Sequence, residues 1–266
     1  MLTRAITGFF FIAVLMGAIF LGQYVFVAFF SLVGVWALYE FYGIVRTEEA
    51  QPNVLLGMLA AVVLAAMTSL YCLGLLPLAK TLAFVPFIAL IFIGALFQKR
   101  KLPFNDIGYS LLGIAYACVP FLFFIGLGFI QGTYNLYIPL GFLIMLWAND
   151  TGAYLAGRSF GKRKLFERIS PNKTWEGFFG GVALALAIAL NLAYYFESLA
   201  QWEWAVMALL ISVFGTLGDL VESMLKRSLG VKDSGNILPG HGGLLDRFDG
   251  LLIAAPLVFL FLLMVS

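Results

Sequence analysis

Apolar residues occur along this chain in long runs, separated by short polar stretches. Nine runs are long enough to cross a bilayer as helices, which takes about 20 residues. They cover residues 5–22, 24–45, 54–74, 76–97, 107–130, 134–157, 175–196, 203–226 and 250–266. The runs lack the alternation of apolar and polar residues that a membrane-spanning strand shows. The pattern therefore predicts an all-α polytopic membrane protein with about nine transmembrane helices, forming a single membrane domain over residues 1–266.

Two boundaries in this pattern have alternatives. Gly74 and Pro77 are the main interruption between the third and fourth runs, so one kinked helix over 54–97 is the alternative to two helices. Arg4 before the first run is also typical of a signal peptide. Because no small-x-small cleavage site follows that run, we interpret it as a retained first span.

The composition supports a membrane protein and excludes a soluble one. Hydrophobic residues make up 62% of the chain and charged residues 11%, with a mean hydropathy of +1.00. A net charge of +2 is too small to favour nucleic-acid binding. Cys72 and Cys118 both lie inside apolar runs, where we expect them to act as small packing residues.

The basic residues predict the orientation of the chain. With nine spans and a cytoplasmic N-terminus, fifteen of the sixteen Lys and Arg residues fall on the cytoplasmic side, and only Lys80 lies outside. The C-terminal Ser266 then lies on the outer face. We therefore expect an integral protein of the cell (inner) membrane whose active site faces the cytoplasm.

Two cytoplasmic loops differ from the other connections in length and composition. The loop 157–174 carries six basic residues, and the loop 227–249 is rich in glycine and acidic residues. We therefore predict that residues 134–266 form the catalytic half. The spans within residues 1–130 have a packing or lipid-facing role in this interpretation.

Carboxylates occur where a membrane protein rarely places them. Asp150, Asp219 and Glu222 lie in predicted spans, and Asp246 and Asp249 lie at the start of the last one. A carboxylate inside a span costs about 3 kcal/mol on insertion, so these residues predict a polar pocket. The alternatives are that Glu222 pairs with a lysine four residues later, and that Asp150 caps a helix or reaches the interface.

Acid spacing in the last two spans favours a metal site. Asp219 and Glu222 are three residues apart, as are Asp246 and Asp249, so each pair shares a helical face. Carboxylates with substrate phosphates suit Mg²⁺, which we predict as the cofactor. His241 is the only histidine, so a histidine-rich zinc site is excluded, and a role in acid–base chemistry competes with a structural role in a glycine turn.

Basic residues and glycines surround these acids. Lys226 and Arg227 end the eighth run, Lys232 follows, and the glycines of the loop allow backbone amides to approach a phosphate closely. Lys and Arg neutralise phosphate charge. A polyphosphate with a metal ion is the ligand that such a loop favours.

The segment SMLKRSLGVKDSGNILPGHGGLLDRFD, residues 223–249, resembles the motif of the phosphatidate cytidylyltransferase family, also called CDP-diacylglycerol synthases. The match extends over 27 residues without a gap. The segments SPNKTWEG, from Ser170, and NDTGAYLAGRSFGK, from Asn149, also resemble this family. The resemblance covers roughly the C-terminal half of the chain.

This resemblance implies a reaction between CTP and phosphatidate, a membrane lipid, that gives CDP-diacylglycerol and pyrophosphate. It implies catalytic roles for Asp219, Lys226, Arg227, Asp246 and Asp249, and metal binding by Asp219, Asp246, Asp249 and, more weakly, Glu222. Substrate contacts are expected from Asn172, Lys173, Lys232, Asp233, His241, Gly242, Gly243 and Arg247. The segment 170–174 also enters the seventh run, with Thr174 as a predicted N-cap.

Three further functions compete with this one. An ion-coupled transporter would place acids near the midplane and show a repeat between halves, and neither is visible here. A lipid kinase, or a CTP-dependent enzyme acting on an isoprenoid phosphate, would use a similar loop.

Glycines such as Gly177, Gly180 and Gly181 pack helices within one chain or between two, and we predict a homodimer.

Overall fold

The computed structural model describes the backbone of residues 2–235, 237 and 242–265, and side chains from residue 7 onward. Helices account for most of this part of the chain. They are α1 Leu2–Phe20, α2 Gln23–Val45, α3 Val54–Cys72, α4 Val85–Leu96, α5 Pro103–Gly113, α6 Val119–Leu127, α7 Tyr137–Phe160, α8 Trp175–Tyr195, α9 Gln201–Ser228 and α10 Leu245–Val265.

The region 54–97 contains two helical segments and not one kinked helix. Helix α3 ends at Cys72, and Gly74 follows with a positive φ of 72°, which glycine adopts without steric cost. Pro77 then precedes a 3₁₀ segment, Leu78–Phe84, that continues into α4. The predicted interruption by Gly74 and Pro77 is therefore confirmed.

The predicted run 107–130 begins earlier than expected and is not uniform. Pro103 occupies the first turn of α5, where its missing N–H costs nothing. A π-helical segment, Ile114–Cys118, joins α5 to α6. Pro120, the second residue of α6, has no N–H to bond to the preceding turn, which explains why the helix widens here.

Seven helical segments in the described part of the chain are long and apolar enough to cross a membrane. They are Gln23–Val45, Val54–Cys72, Leu78–Leu96, Pro103–Leu127, Trp175–Tyr195, Gln201–Ser228 and Leu245–Val265. Thr7–Phe20 is a shorter apolar helix. The chain is thus an all-α polytopic membrane protein. The count of nine spans and the sides of the two termini stay predictions.

A small antiparallel hairpin lies in the predicted loop 157–174. Strand β1, Lys164–Phe166, pairs with strand β2, Ser170–Thr174, so that Lys164 lies opposite Thr174. Helix α7 extends three residues beyond the predicted run, to Phe160, before this hairpin. The basic loop is therefore shorter and more ordered than its composition indicates.

The helices and loops form two compact units. The first contains Met1–Ile125 and Leu229–Arg247, and the second contains Gly126–Ser228 and Phe248–Ser266. In the first unit, the buried rings of Phe26, Phe30 and Phe124 pack with centroids 4.7 to 6.0 Å apart. The prediction of a single membrane domain is not tested by this division.

Small residues bring α7 and α8 together in the second unit. A methyl group added at Gly152 would lie 2.7 Å from the carbonyl oxygen of Gly180, and one added at Gly177 would lie 2.8 Å from that of Ala153. The glycine faces of α8 are thus used within this chain. The predicted homodimer stays a prediction.

Candidate active site

Four carboxylates from three helices gather in the second unit. Asp150 comes from α7, Asp219 and Glu222 come from α9, and Asp249 comes from α10. The charge of Asp249 interacts with the charges of the other three carboxylates. We call these four residues the acidic cluster. The sequence predicted a polar pocket from these four acids and Asp246, and the structure places the four in the second unit.

Glycines explain how α9 and α10 approach closely enough to form the acidic cluster. A methyl group added at Gly218 would lie 2.5 Å from the carbonyl oxygen of Asp249. One added at Gly250 would lie 3.4 Å from the Cα atom of Gly215. Sequence reasoning missed this contact. The sequence feature that could have predicted the contact is the placement of Gly218 and Gly250 next to Asp219 and Asp249.

Lys173 reaches the acidic cluster from strand β2. Its ammonium group lies 2.5 Å from Oδ2 of Asp219, which brings a predicted substrate-binding residue to a predicted metal ligand. Lys173 also interacts electrostatically with Asp150. The side chains of Lys173 and Asp219 are 26% and 36% exposed, so water and soluble ions can approach this pair.

Two local hydrogen bonds hold the Lys173–Asp219 pair in place. The hydroxyl of Thr174 accepts a hydrogen bond of 3.2 Å from the backbone N–H of Gly177, so the predicted N-cap of α8 is confirmed. This cap fixes the end of the strand that carries Lys173. In α9, the Ser223 hydroxyl donates to Oδ1 of Asp219 at 3.3 Å. Asp219 is therefore oriented by a neighbour on each of its two oxygens.

Glu222 forms an ion pair within its own helix. Its Oε2 lies 2.5 Å from the ammonium group of Lys226, four residues later, and the two side chains are only 2% and 14% exposed. The structure thus contains the pairing that the sequence offered as the alternative to metal binding. Both Glu222 and Asp219 are paired with a lysine, but Asp219 is 36% exposed, so a soluble ion reaches Asp219 more easily than it reaches Glu222.

The charge of the acidic cluster suits a divalent cation. Its four carboxylates are accompanied by two ammonium groups, those of Lys173 and Lys226, so negative charge remains in excess. Carboxylate oxygens are the donors that Mg²⁺ prefers. Among the described residues, no group of three or more acidic, His or Cys side chains is arranged to hold a metal by itself. A magnesium ion here would therefore depend on waters and substrate phosphates for the rest of its ligands.

Asp246 lies in the first unit, where it organises the glycine-rich loop. Its Oδ2 accepts hydrogen bonds from the backbone N–H and the hydroxyl of Ser234, at 2.8 and 2.9 Å, and from the N–H of Gly243 at 2.8 Å. Gly242 has a φ of 80°, a conformation that strongly favours glycine. As predicted, α10 begins near Asp246 and Asp249, at Leu245. The role of Asp246 as a metal ligand stays a prediction.

Glu40 is a buried carboxylate that sequence reasoning did not select. It comes from α2 and is 7% exposed. Its Oε2 accepts hydrogen bonds from the N–H groups of Leu244 and Leu245, at 2.7 and 3.0 Å, and lies 3.4 Å from the Ser234 hydroxyl. Glu40 thus ties the glycine-rich loop and the start of α10 to α2. The signal was present, because Glu40 is a lone acid in an apolar run.

The remaining predicted site residues lie mostly at the surface. Exposed side chains belong to Asn172 on β2, Arg227 at the end of α9, Arg247 in the first turn of α10, and Lys232 and Asp233 in the glycine-rich loop. These positions are open to a soluble substrate. The predicted substrate residue His241 lies outside the described residues, so its position is not compared with the others.

Comparisons with known proteins find a matching family model and several named relatives. A family model for the cytidylyltransferase family matches residues 2–265. A protein of Staphylococcus aureus (strain COL) named phosphatidate cytidylyltransferase is 42% identical over 185 residues, which are 69% of each chain. Proteins with the same name from Staphylococcus haemolyticus and Staphylococcus saprophyticus are 40% identical, over 69% and 70% of each chain.

Proposed function

The chain belongs to the cytidylyltransferase family, and from this we propose that it is a phosphatidate cytidylyltransferase. Relatives that are 40–42% identical to it over 69% of the chain carry that name. In the structure, the observation that supports this activity most directly is the acidic cluster with Lys173 paired to Asp219 at a position open to water. Carboxylates, a lysine and solvent access are what metal-assisted phosphoryl chemistry requires.

The reaction joins the phosphate of phosphatidate to the α-phosphorus of CTP. A phosphate oxygen of the lipid attacks this phosphorus, and a P–O bond forms. The bond between the α-phosphorus and the oxygen that bridges to the β-phosphorus breaks, and pyrophosphate leaves with the electron pair. The products are CDP-diacylglycerol and pyrophosphate. Since the nucleophile is already an anion, the protein needs no serine–histidine pair to activate it.

Positively charged residues of the chain reduce the repulsion between the two anionic substrates. Lys173 is the first candidate, because its ammonium group is already held at the acidic cluster. Arg227 is exposed and free to adjust to a phosphate, while Lys226 would exchange Glu222 for a phosphate on binding. Each such contact strengthens as charge develops on the departing pyrophosphate.

Asp219 and Asp249 are the residues that would hold Mg²⁺ in the second unit. The metal supplies Lewis-acid stabilisation of phosphate oxygens when it is bound. The two carboxylates orient it, and the Ser223 hydroxyl and the close approach of α9 to α10 keep them in place. Glu222, which is paired with Lys226 before substrate binds, is the weaker candidate for a metal ligand. Asp246 organises the glycine-rich loop in the structure, and its role as a metal ligand stays a prediction.

The active site faces the cytoplasm in this proposal. CTP is soluble and phosphatidate carries its phosphate at the depth of the lipid headgroups, so the two meet only at a membrane surface. The basic residues predict that the helix ends near Asp219 and Asp249, and the strand that carries Lys173, lie on the cytoplasmic side. The seven long apolar helical segments and the bacterial sources of the relatives support a location in the cell membrane.

A substrate panel tests the reaction. The full chain, purified in detergent with Mg²⁺, is given CTP labelled on the α-phosphorus and one lipid acceptor at a time. We expect labelled CDP-diacylglycerol and an equal amount of pyrophosphate with phosphatidate, and no labelled lipid with an isoprenoid phosphate or diacylglycerol. Transfer to the isoprenoid phosphate in place of phosphatidate would overturn the proposal, as would the absence of labelled product from folded protein.

A further inference from the structure

The first unit contains a basic cavity that the roles assigned above do not use. Its volume is about 510 Å³, within the range of small-molecule sites. We call it the Arg100 cavity. Most of the described residues that line it are cations or carry a side-chain amide, and none of them is acidic: Arg46, Gln51, Asn53, Gln98, Lys99 and Arg100. The cavity therefore offers an anion both positive charge and hydrogen-bond donors.

The Arg100 cavity lies at the ends of four apolar helical segments. One wall comes from the connection 46–53 between α2 and α3 and the first residue of α3, and the other from the connection 97–102 between α4 and α5. A methyl group added at Gly94, near the end of α4, would lie 3.8 Å from Nδ2 of Asn53. All four segments are long and apolar enough to cross a membrane. Their adjoining ends therefore place this cavity at the depth of the lipid headgroups.

Arg100 is held in one orientation at the wall of the cavity. Its Nε donates to Oδ2 of Asp106 at 3.1 Å, and its Nη2 donates to the carbonyl oxygen of Glu48 at 3.0 Å. Asp106 is buried, and its Oδ1 accepts from the N–H of Gln51 at 2.6 Å. Within the described part of the chain, Nη1 of Arg100 has no hydrogen-bond partner. The guanidinium group is thus fixed by the protein and keeps donors for a ligand.

Three further donors line the same cavity. Arg46 and Lys99 are exposed, and neither has an ion-pair or hydrogen-bond partner among the described residues. Oδ1 of Asn53 accepts from the N–H of Leu56 at 3.1 Å, which leaves the NH₂ group of Asn53 for a ligand. The Ser110 hydroxyl accepts from the N–H of Asn53 at 2.8 Å and so fixes the backbone there. One end of the site is therefore rigid, and two long cations can adjust to what binds.

The preference for positive charge on the cytoplasmic side does not explain this arrangement. That preference requires only Lys and Arg residues near the ends of the spans. It does not require a buried carboxylate, Asp106, that orients one arginine, or amide groups around a cavity. Glu48 and Glu49 lie in the same connection, but they are not among the residues that line the cavity. The arrangement therefore indicates a bound anion.

Apolar side chains beside the cavity favour a lipid as the source of this anion. Leu55 directly follows the lining residues at the start of α3, and Leu96 and Phe97 directly precede Gln98. These three side chains are 70%, 81% and 83% exposed, so in a bilayer they would contact acyl chains. Basic pockets between transmembrane helices bind the headgroups of anionic lipids. A soluble phosphate would use the cations and leave the apolar side chains unused.

We propose that the Arg100 cavity binds the phosphate of an anionic phospholipid. Arg100 donates to this phosphate from Nη1, the NH₂ group of Asn53 adds a hydrogen bond, and Arg46 and Lys99 neutralise the charge. The described lining offers no carboxylate for a metal ion, so the cavity binds the lipid without converting it. This inference goes beyond the proposed function, because it needs neither CTP nor turnover.

Phosphatidylglycerol is the probe, because it carries an anionic phosphate and is not the substrate proposed above. The dissociation constant of labelled phosphatidylglycerol is measured for the full chain in non-ionic detergent. We expect it to rise about fivefold in Lys99→Gln and about 25-fold in the double variant Arg46→Gln/Lys99→Gln, since each cation near a membrane surface contributes about a factor of five. Both variants should fold, because neither side chain has a partner in the described structure.

Lys101→Gln is the matched control. It removes an exposed positive charge two residues from Lys99, and Lys101 is not among the lining residues. Its affinity for phosphatidylglycerol should stay within about twofold of the wild type. Equal weakening in Lys99→Gln and Lys101→Gln would show that only the overall charge matters and would overturn the site. Unchanged affinity in the double variant would overturn it as well, as would equally tight binding of phosphatidylcholine, which has no net charge.

Inorganic phosphate distinguishes a lipid from a soluble anion at this site. We expect inorganic phosphate at the concentration of the lipid to leave bound phosphatidylglycerol in place. If it displaced the lipid, the cavity would be a site for soluble phosphate and the proposal would be wrong. These assays contain no CTP, so their outcome is independent of whether the chain makes CDP-diacylglycerol. Failure of the proposed function and failure of this inference are therefore told apart.

Discussion

Lys173 and Asp219 show how far single residues are predictable. The motif around Lys173 and the position of Asp219 in an apolar run both indicated a functional site. In the structure, Nζ of Lys173 lies 2.5 Å from Oδ2 of Asp219. Thr174 was predictable as an N-cap, because a hydroxyl residue directly before an apolar run is enough to predict one. Glu40 was visible as a lone acid in an apolar run, but its role was not predictable, because its partners are backbone N–H groups more than 200 residues away.

Replacement of Lys173 by glutamine should remove activity without unfolding the protein. Because the ion pair with Asp219 is partly exposed, we expect the free energy of unfolding to change by less than about 1 kcal/mol. The loss of a cation at the reacting phosphates should lower kcat/KM by about 100-fold. Initial rates and thermal unfolding in detergent measure the two effects.

Lys164→Gln is the matched control, since Lys164 lies on the neighbouring strand and donates to the carbonyl oxygen of Pro171. Its activity should remain within about twofold of the wild type if hairpin charge alone has little effect. Equal losses in the two variants would contradict a specific role for Lys173.

At the scale of elements, the apolar runs predicted the helices well, since burial in lipid requires long apolar segments with all backbone groups bonded internally. The hairpin β1–β2 was not predicted. Its strands have three and five residues, half of them exposed, and show no alternation of apolar and polar positions. The approach of α9 to α10 was also missed, because a glycine in a helix reveals nothing about its neighbour until both helices are placed.

Gly218→Ala tests the approach of α9 to α10. The added methyl group meets the carbonyl oxygen of Asp249, so the helices must separate and the carboxylates of the acidic cluster must shift. We expect a loss of about 1–3 kcal/mol in the free energy of unfolding. Activity should fall more than tenfold, because small displacements of catalytic groups are costly, with effects of about 100-fold per ångström.

Gly108→Ala provides the comparison, since a methyl group at this helical position in α5 meets no atom within 4 Å. This change should leave activity intact and raise stability by up to about 1 kcal/mol through helix propensity. If Gly218→Ala also left activity and stability intact, neither property would depend on the close packing of α9 and α10.

At the scale of the whole molecule, the sequence predicted the membrane class and left the internal division open. The loop 229–247 belongs to the first unit although it follows helix α9 of the second. Hydrophobicity cannot reveal this, because the connection depends on hydrogen bonds that the carboxylates of Glu40 and Asp246 accept from backbone N–H groups of the loop. The first half of the chain therefore does more than pack against lipid, since it holds part of the motif loop.

Orientation in the membrane is tested by labelling single cysteines. In a background with Cys72 and Cys118 replaced by serine, we expect Arg163→Cys to react with an impermeant maleimide only from the cytoplasmic side. Glu197→Cys should react only from the outer side. Both residues are exposed in the structure. Labelling of both from the same side would contradict the predicted number of spans between them.

The acidic cluster is tested most directly by magnesium-dependent transfer of labelled CTP to phosphatidate, measured for the wild type, Asp249→Asn and the exposed control Glu197→Gln. We predict at least about 100-fold loss for Asp249→Asn, a higher Mg²⁺ concentration for half activation, and no change for the control. Wild-type activity and an unaltered magnesium response in folded Asp249→Asn would contradict metal binding by this cluster.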